Sequence, residues 1–204
     1  MFTGVAGVLL AAGQGSRFGR PKALVELDGQ TLAERGVATL LAGGADPIIV
    51  VTGAVPVALA PEHQVYTVYN GEWRTGMASS LRAALRSPVL SQDVGAAVVA
   101  LADQPLVGAV AVARLIAAYR SGASVAVAAY GGQPRNPVLL AREHWAEVIA
   151  TATGDQGARA FLRARPDLVT VVECGDTGRP DDIDTPADLD RITNLRRPGC
   201  PRCG

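Results

Sequence analysis

Short apolar runs rich in Val and Ile alternate along this chain with stretches in which apolar residues return every three or four positions. The runs at 5–11, 48–52, 65–68, 96–101, 124–129 and 168–172 have the length and β-branched content of strands covered on both faces. Between them, 31–41, 78–85, 109–119, 142–151 and 158–164 carry helical spacing, and 186–192 reads as a last helix with Thr185 as its cap and Pro186 in its first turn. This alternation predicts an α/β fold, a mainly parallel central sheet between layers of helices. In such sheets ligands sit beyond the carboxyl ends of the strands, where loops and helix N-termini leave amides pointing outward. Three distinctive segments fall at such ends: a glycine-rich loop after the first predicted strand, residues 70–80 after the third, and Asp103 after the fourth.

The loop lies in VLLAAGQGSRFGRPK, residues 8–22. It is not a Walker loop, since Gly13 is followed at the required distance by Phe18 and Gly15 by Arg20. Nor is it a dinucleotide fingerprint, because Phe18 holds the place of the last glycine. Gly13 and Gly15 still remove side chains that would hold a polyphosphate off the backbone, and Arg17 and Lys22 can neutralise it. Pro21 presets its own φ and restricts Arg20, which gives Lys22 a defined direction. Taken alone, the loop also fits a surface turn with solvated cations.

Asp103 closes the run VGAAVVALAD, and Pro105 stops the strand. A hard oxygen ligand at the rim of a sheet suits Mg2+, which takes one or two carboxylates together with substrate phosphates. Capping a turn before the helix near Gly108 is the alternative. In NGEWRTGMASSL, residues 70–81, Gly76 lets the backbone approach a ring, and Ser79 or Ser80 can cap or hydrogen-bond. The first helical amides there can donate to a carbonyl such as cytosine O2. Trp73 reads as core first and as a stacking surface second. GGQPRNPVLL places Arg135 and Asn136 immediately before a predicted strand, and TGDQGAR places Gly154, Asp155 and Gly157 at the start of a helix. A helix entrance can receive a phosphate or pterin group, with a solvated loop as the alternative.

The 204 residues, 49% of them hydrophobic, supply one well-buried core, and no linker divides them. The expectation is one domain over 1–195 and a flexible tail over 196–204 that contains a CxxC pair, Cys200 and Cys203. Lys plus Arg and Asp plus Glu both total 19, so no global positive field draws in nucleic acid. No long uncharged apolar window or export signal is found, which makes the cytoplasm the default and a membrane an unexpected partner. Three cysteines are too few and too badly placed for a secreted disulfide framework, and CxxC alone is half a zinc site. His63 and His144 have no second ligand at metal spacing, and Asp188 suits the helix dipole without further function.

Leu10, Ala11, Ala12, Gly13, Gly15, Arg17, Gly19 and Lys22 spell LAAGxGxRxGxxK, and NGEWRTGMASSL, LADQPL, GDQGARAFL and DIDTPADL follow in order. In these segments the chain resembles the MobA-like nucleotidyltransferases, and within them the molybdenum cofactor cytidylyltransferases, which have LAAG where the guanylyltransferases have LAGG. The resemblance implies a Rossmann-like three-layer α/β/α nucleotidyltransferase fold. It implies that Leu10, Ala11, Ala12, Gly13, Gly15, Arg17, Lys22, Asn70, Gly76, Ser79, Ser80 and Asp103 bind the nucleotide. Arg17, Lys22 and Asp103 would be catalytic, with Mg2+ on Asp103 and Asp184; Asp182 rivals Asp184, and spacing does not choose between them. Arg135, Asn136, Gly154, Asp155 and Gly157 would face the acceptor, although RNP stands where the family usually has GHP. The implied reaction moves CMP from CTP to molybdopterin and releases pyrophosphate, with a molybdenum oxidoreductase receiving the product. A guanylyl or sugar-phosphate transferase of the same fold and a non-catalytic cofactor carrier are the alternatives.

Overall fold

A computed structural model describes residues 4–59, 64–90 and 93–196. His63, Cys200 and Cys203, for which sequence expectations were stated, lie outside the described residues. The chain runs β1 (Gly4–Leu10), β2 (Glu26–Leu27), β3 (Gln30–Thr31), α1 (Leu32–Ala42), β4 (Ile48–Thr52), β5 (Val65–Tyr69), α2 (Met77–Leu85), β6 (Val94–Leu101) and α3 (Ala109–Arg120). It continues through β7 (Val125–Tyr130), β8 (Gln133–Ala141), α4 (Trp145–Thr151), α5 (Arg159–Ala164), β9 (Val169–Glu173) and α6 (Pro186–Arg196).

Seven strands form one sheet in the order β5-β4-β1-β6-β8-β7-β9. All neighbours are parallel except at β8, which runs antiparallel to both β6 and β7. The mostly parallel sheet flanked by helices is therefore the α/β architecture that the pattern predicts. β8 corrects one expectation: it begins at Gln133, so Arg135 and Asn136 lie within the strand and not before it. Its first residues are polar and exposed and give no apolar run, but a Gly131–Gly132 turn with φ of 60° and 74° pairs Tyr130 with Gln133. Positive φ at both central residues is the two-residue hairpin geometry. Asp28–Gly29, with φ of 54° and 78°, makes the β2–β3 hairpin in the same way.

Each face of the sheet carries its own core. Leu9, Val98 and Leu139 pack under α1 and α3 through Leu40 and Leu115, while Val8, Ile49 and Val127 pack under α2, α4 and α5 through Leu81, Trp145 and Phe161. Burying a side chain as large as Phe161 stabilises the fold by about 1.5–3 kcal/mol. A third, smaller cluster joins Phe18, Val25, Leu27 and Leu32 to Ile183 and Ile192. It fastens the glycine loop and the β2–β3 hairpin to the segment that leads into α6. Thr31 caps α1 and shares a reciprocal capping box with Glu34. Among the described residues no helix is long and apolar enough to cross a membrane.

Candidate active site

The loop after β1 closes on itself, with the Phe18 and Gly19 amides both donating to the Gly15 carbonyl at 2.9 Å. Gly15 has φ +65°, and a Cβ there would lie 2.1 Å from the Arg20 carbonyl oxygen, so the loop's shape demands glycine. Gly13 differs: a Cβ would meet nothing within 4 Å, and the residue lines a pocket. After Pro21 the chain takes a 3-10 turn over Lys22–Leu24 that sends the Lys22 side chain back across the strand ends.

That side chain meets both carboxylates singled out for a metal. Lys22 Nζ donates to Asp103 Oδ2 at 2.7 Å and to Asp184 Oδ1 at 2.6 Å, and Arg17 Nη1 stands 3.6 Å from Asp184 Oδ2. Two contacts bring Asp184 across 81 residues to Asp103. The Ile183 amide donates to the Asp103 carbonyl at 2.8 Å, and the Ile183 side chain is fully buried in the small cluster with Phe18. Asp188 secures the next step, since its Oδ2 accepts from the Thr185 amide at 2.9 Å and the Asp184 amide at 3.2 Å. Asp182 accepts from Gln104 Nε2 at 2.8 Å, and burial, with the nearby Asp103 and Asp184 charges, holds its carboxyl above the usual value. Lys22 thus joins Asp184 directly to Asp103, while Asp182 lines a cleft with both of them without touching the ammonium.

Partial burial pulls the Lys22 pKa down, but Asp103 and Asp184 outweigh it and hold the ammonium above its ordinary value. Two carboxylate oxygens aimed at one positive charge are a donor set that fits a hard divalent cation. Among the described residues no group of three or more His, Cys, Asp and Glu side chains forms a metal cage, so water or substrate oxygens would complete the shell of an ion held by Asp103 and Asp184.

A pocket of about 200 Å³ opens beside this cluster, lined by Leu10, Ala11, Ala12, Gly13, Lys22, Gly76, Ser80 and Asp103 among the expected residues. Trp73 lines it as well, with the Arg74 guanidinium 4.3 Å from its ring centre. Asn70 and Ser79 stand behind the wall: Asn70 is buried, and its Nδ2 donates to Ser79 Oγ at 2.8 Å and to Ser80 Oγ at 3.0 Å. They brace the 70–80 segment. Arg17 is exposed at the rim.

A larger cleft of about 940 Å³ shares Leu10, Met77, Leu101, Asp103 and Asp155 with the pocket. Arg135, Asn136, Asp155 and Gly157 line it, while Gly154 packs its carbonyl against Gly76. The segment at 154–157 is a 3-10 turn over Gly154–Gln156 that precedes α5, rather than the first turn of a helix. Sequence reasoning missed Gln104, Arg159 and Arg163 in this cleft. The spacing of Arg159 and Arg163, four apart on one helical face, was the available signal. His144 is packed, with Nε2 3.0 Å from Ser124 Oγ and its ring 5.7 Å from that of Phe161.

The MobA-like NTP transferase domain matches residues 7–169. The chain belongs to this family. It is 36% identical over 199 residues to nicotine blue oxidoreductase of Paenarthrobacter nicotinovorans, covering 92% of this chain and 96% of that one. It is 31% identical over 167 residues, 78% of each chain, to a probable molybdenum cofactor guanylyltransferase of Opitutus terrae. The crystal structure of an Rv0371c homologue from Mycobacterium sp. strain JC1 superposes with a TM-score of 0.79 at 29% identity, over 96% of this chain and 98% of that one. The manganese complex of Rv0371c from Mycobacterium tuberculosis H37Rv gives 0.73 at 25% identity, over 95% and 100%. The MobA-like chain is accordingly a nucleotidyltransferase enzyme of this α/β fold.

Proposed function

We propose that this enzyme transfers CMP from CTP to a molybdopterin-type acceptor, releases pyrophosphate and depends on Mg2+. The observation that carries the reading is the convergence of Lys22 on Asp103 and Asp184, with Arg17 near, at the mouth of a pocket whose floor includes Gly13. Asp103 and Asp184 would hold the magnesium ion, which supplies charge neutralisation on the phosphates when bound. Gly13 lets the triphosphate lie against the backbone, and Arg17 and Lys22 offset its negative charge. An acceptor phosphate oxygen then bonds to the α-phosphorus as the bond to the pyrophosphate oxygen breaks. That oxygen is already ionised, so no general base is required, in keeping with a pocket and cleft that no histidine lines among the described residues.

Ala12 supports cytosine. Its side chain is buried and lines the pocket where the guanylyltransferase pattern has glycine, and the added methyl narrows the space for a purine. The acceptor lies in the larger cleft against Arg135 and Asn136, a cytoplasmic setting suits the composition, and a molybdenum oxidoreductase is the receiver of the product.

A second reading comes from the relative whose name is nicotine blue oxidoreductase: an oxidoreduction of a flat aromatic substrate seated on Val99, Val127 and Val138 of the cleft floor. Pyrophosphate release from CTP, GTP, UTP and ATP with Mg2+ and molybdopterin tests the first reading, and oxidation of NADH or NADPH with an aromatic dye tests the second. Asp103→Ala should lower pyrophosphate release by roughly 100-fold or more while the fold persists. A wild-type protein that releases no pyrophosphate from any of the four nucleotides refutes the transferase assignment.

A further inference from the structure

Asp155 stands in the wall between the pocket and the cleft and lines both. Its loop is tied to α2 at two points. Arg82 Nη1 donates to the Ala152 carbonyl at 2.7 Å, and the Met77 amide donates to Asp155 Oδ1 at 3.3 Å. Between these ties the backbones touch: Gly76 has φ +107°, and a Cβ there would meet the Gly154 carbonyl carbon and oxygen at 2.5 Å. The carboxylate is therefore held in place at the opening of α2, and the bond to Met77 is its only hydrogen bond among the described residues.

We infer that Asp155, which the resemblance assigns to the acceptor side, is a specificity-determining residue that accepts hydrogen bonds from the ribose hydroxyls of the bound nucleotide. This rests on the nucleotide reading given above. Lys22 and Asp103, directed at phosphate, meet at one side of the pocket, and Trp73, which packs with Ala12 about Gly53 after β4, supplies an apolar side for the base. The sugar, covalently joined to both phosphate and base, must lie between those two sides, and Asp155, anchored at the start of α2, lines the same pocket. An ionised carboxylate only accepts hydrogen bonds. A triphosphate offers it no donor and repels it, whereas a ribose presents two hydroxyl donors side by side. Asp155 Oδ2 and the remaining lone pairs of Oδ1 supply the matching acceptors. A sugar without those hydroxyls would leave the carboxylate without its partners and lose affinity.

The test is isothermal titration of wild type, Asp155→Ala and Asp155→Asn with CTP and with 2′,3′-dideoxy-CTP, each with Mg2+, after unfolding midpoints have been compared. Wild type should bind CTP about tenfold more tightly than the dideoxy form, the size of a hydrogen bond to a charged group. Asp155→Ala should weaken CTP to the level of the dideoxy nucleotide, and Asp155→Asn, which keeps the shape and one acceptor, should fall between. A wild-type protein that binds the two equally, or an Asp155→Ala variant that weakens both while keeping the gap, overturns the ribose assignment alone. If Asp155→Ala does not fold, an Asp155→Asn variant with the full wild-type gap does the same. Wild type that binds neither nucleotide overturns the nucleotide reading, and this inference with it.

Discussion

Replacing Lys22 by Met keeps the length of the side chain and removes the ammonium that lies 2.7 Å from Asp103 Oδ2 and 2.6 Å from Asp184 Oδ1. The two carboxylates then lose their shared cation, and Arg17, 3.6 Å from Asp184, is the other cation paired with them among the described residues. The Lys22 and Asp103 side chains are 20% and 26% exposed and Asp184 is 45% exposed, so solvent screens part of the repulsion. Breaking a fully buried pair costs about 3–5 kcal/mol and an exposed one about 0–1, which puts this site near 2 kcal/mol. For a chain of this size that lowers Tm by roughly 4–8 °C. The second consequence has the opposite sign. In wild type a divalent cation competes with the ammonium for the carboxylates, whereas in Lys22→Met it does not. Mn2+ or Mg2+ should therefore raise the Tm of the variant more than that of wild type, while CTP should stabilise wild type more. Thermal unfolding with and without each ion measures both. Equal metal-induced shifts in the two proteins would show that Lys22 and the metal do not share a place, and the reasoning would fall.

The two loop glycines should separate shape from access. Gly15→Ala forces φ +65° on a residue with a Cβ and drives it to 2.1 Å from the Arg20 carbonyl oxygen, so it should cost about 1–3 kcal/mol in a urea titration. Gly13→Ala meets nothing within 4 Å and should leave stability unchanged while weakening CTP binding roughly 10–200-fold, the effect of one methyl group in a fitted site. Tyr130 supplies a pH test. Burial first, and then the nearby Cys174 and Glu173, push its phenol up to about 12 from an unperturbed 10.0, and among the described residues its buried hydroxyl has no hydrogen-bond partner. The unfolded phenol ionises first, so the contribution of Tyr130 is intact below pH 10 and drains away as pH rises toward about 12. Tyr130→Phe should remove that alkaline slope and be neutral or slightly stabilising at pH 7, as read from urea midpoints at both ends. A variant with the wild-type slope would refute it.

The strands at 48–52 and 96–101 were legible because residues buried on both faces must be apolar throughout. The polar start of β8 was not, although Gly131–Gly132 and Asp28–Gly29 are both hairpin signals in plain sight. Motif order pointed to the charge cluster, but nothing local in the chain ties Phe18 to Ile183, and that packing brings Asp184 to Lys22. Polar residues at a loop have no visible partner in one dimension, so the bond from Asn70 Nδ2 to Ser79 Oγ that braces the 70–80 segment was not legible. The bond from Met77 to Asp155 spans 78 residues and carries no sequence signature.

The distance along the chain between Lys22 and Asp184, 162 residues, has a consequence for biosynthesis. β1 and its loop leave the ribosome long before the second carboxylate, and domains gain structure as they emerge. Among the described residues all nine strands precede Asp184 and the Ile183 anchor that seats it. A polypeptide that stops short of that anchor can keep the sheet and still lack half of its acidic pair, which ties competence for chemistry to the segment that leads into α6.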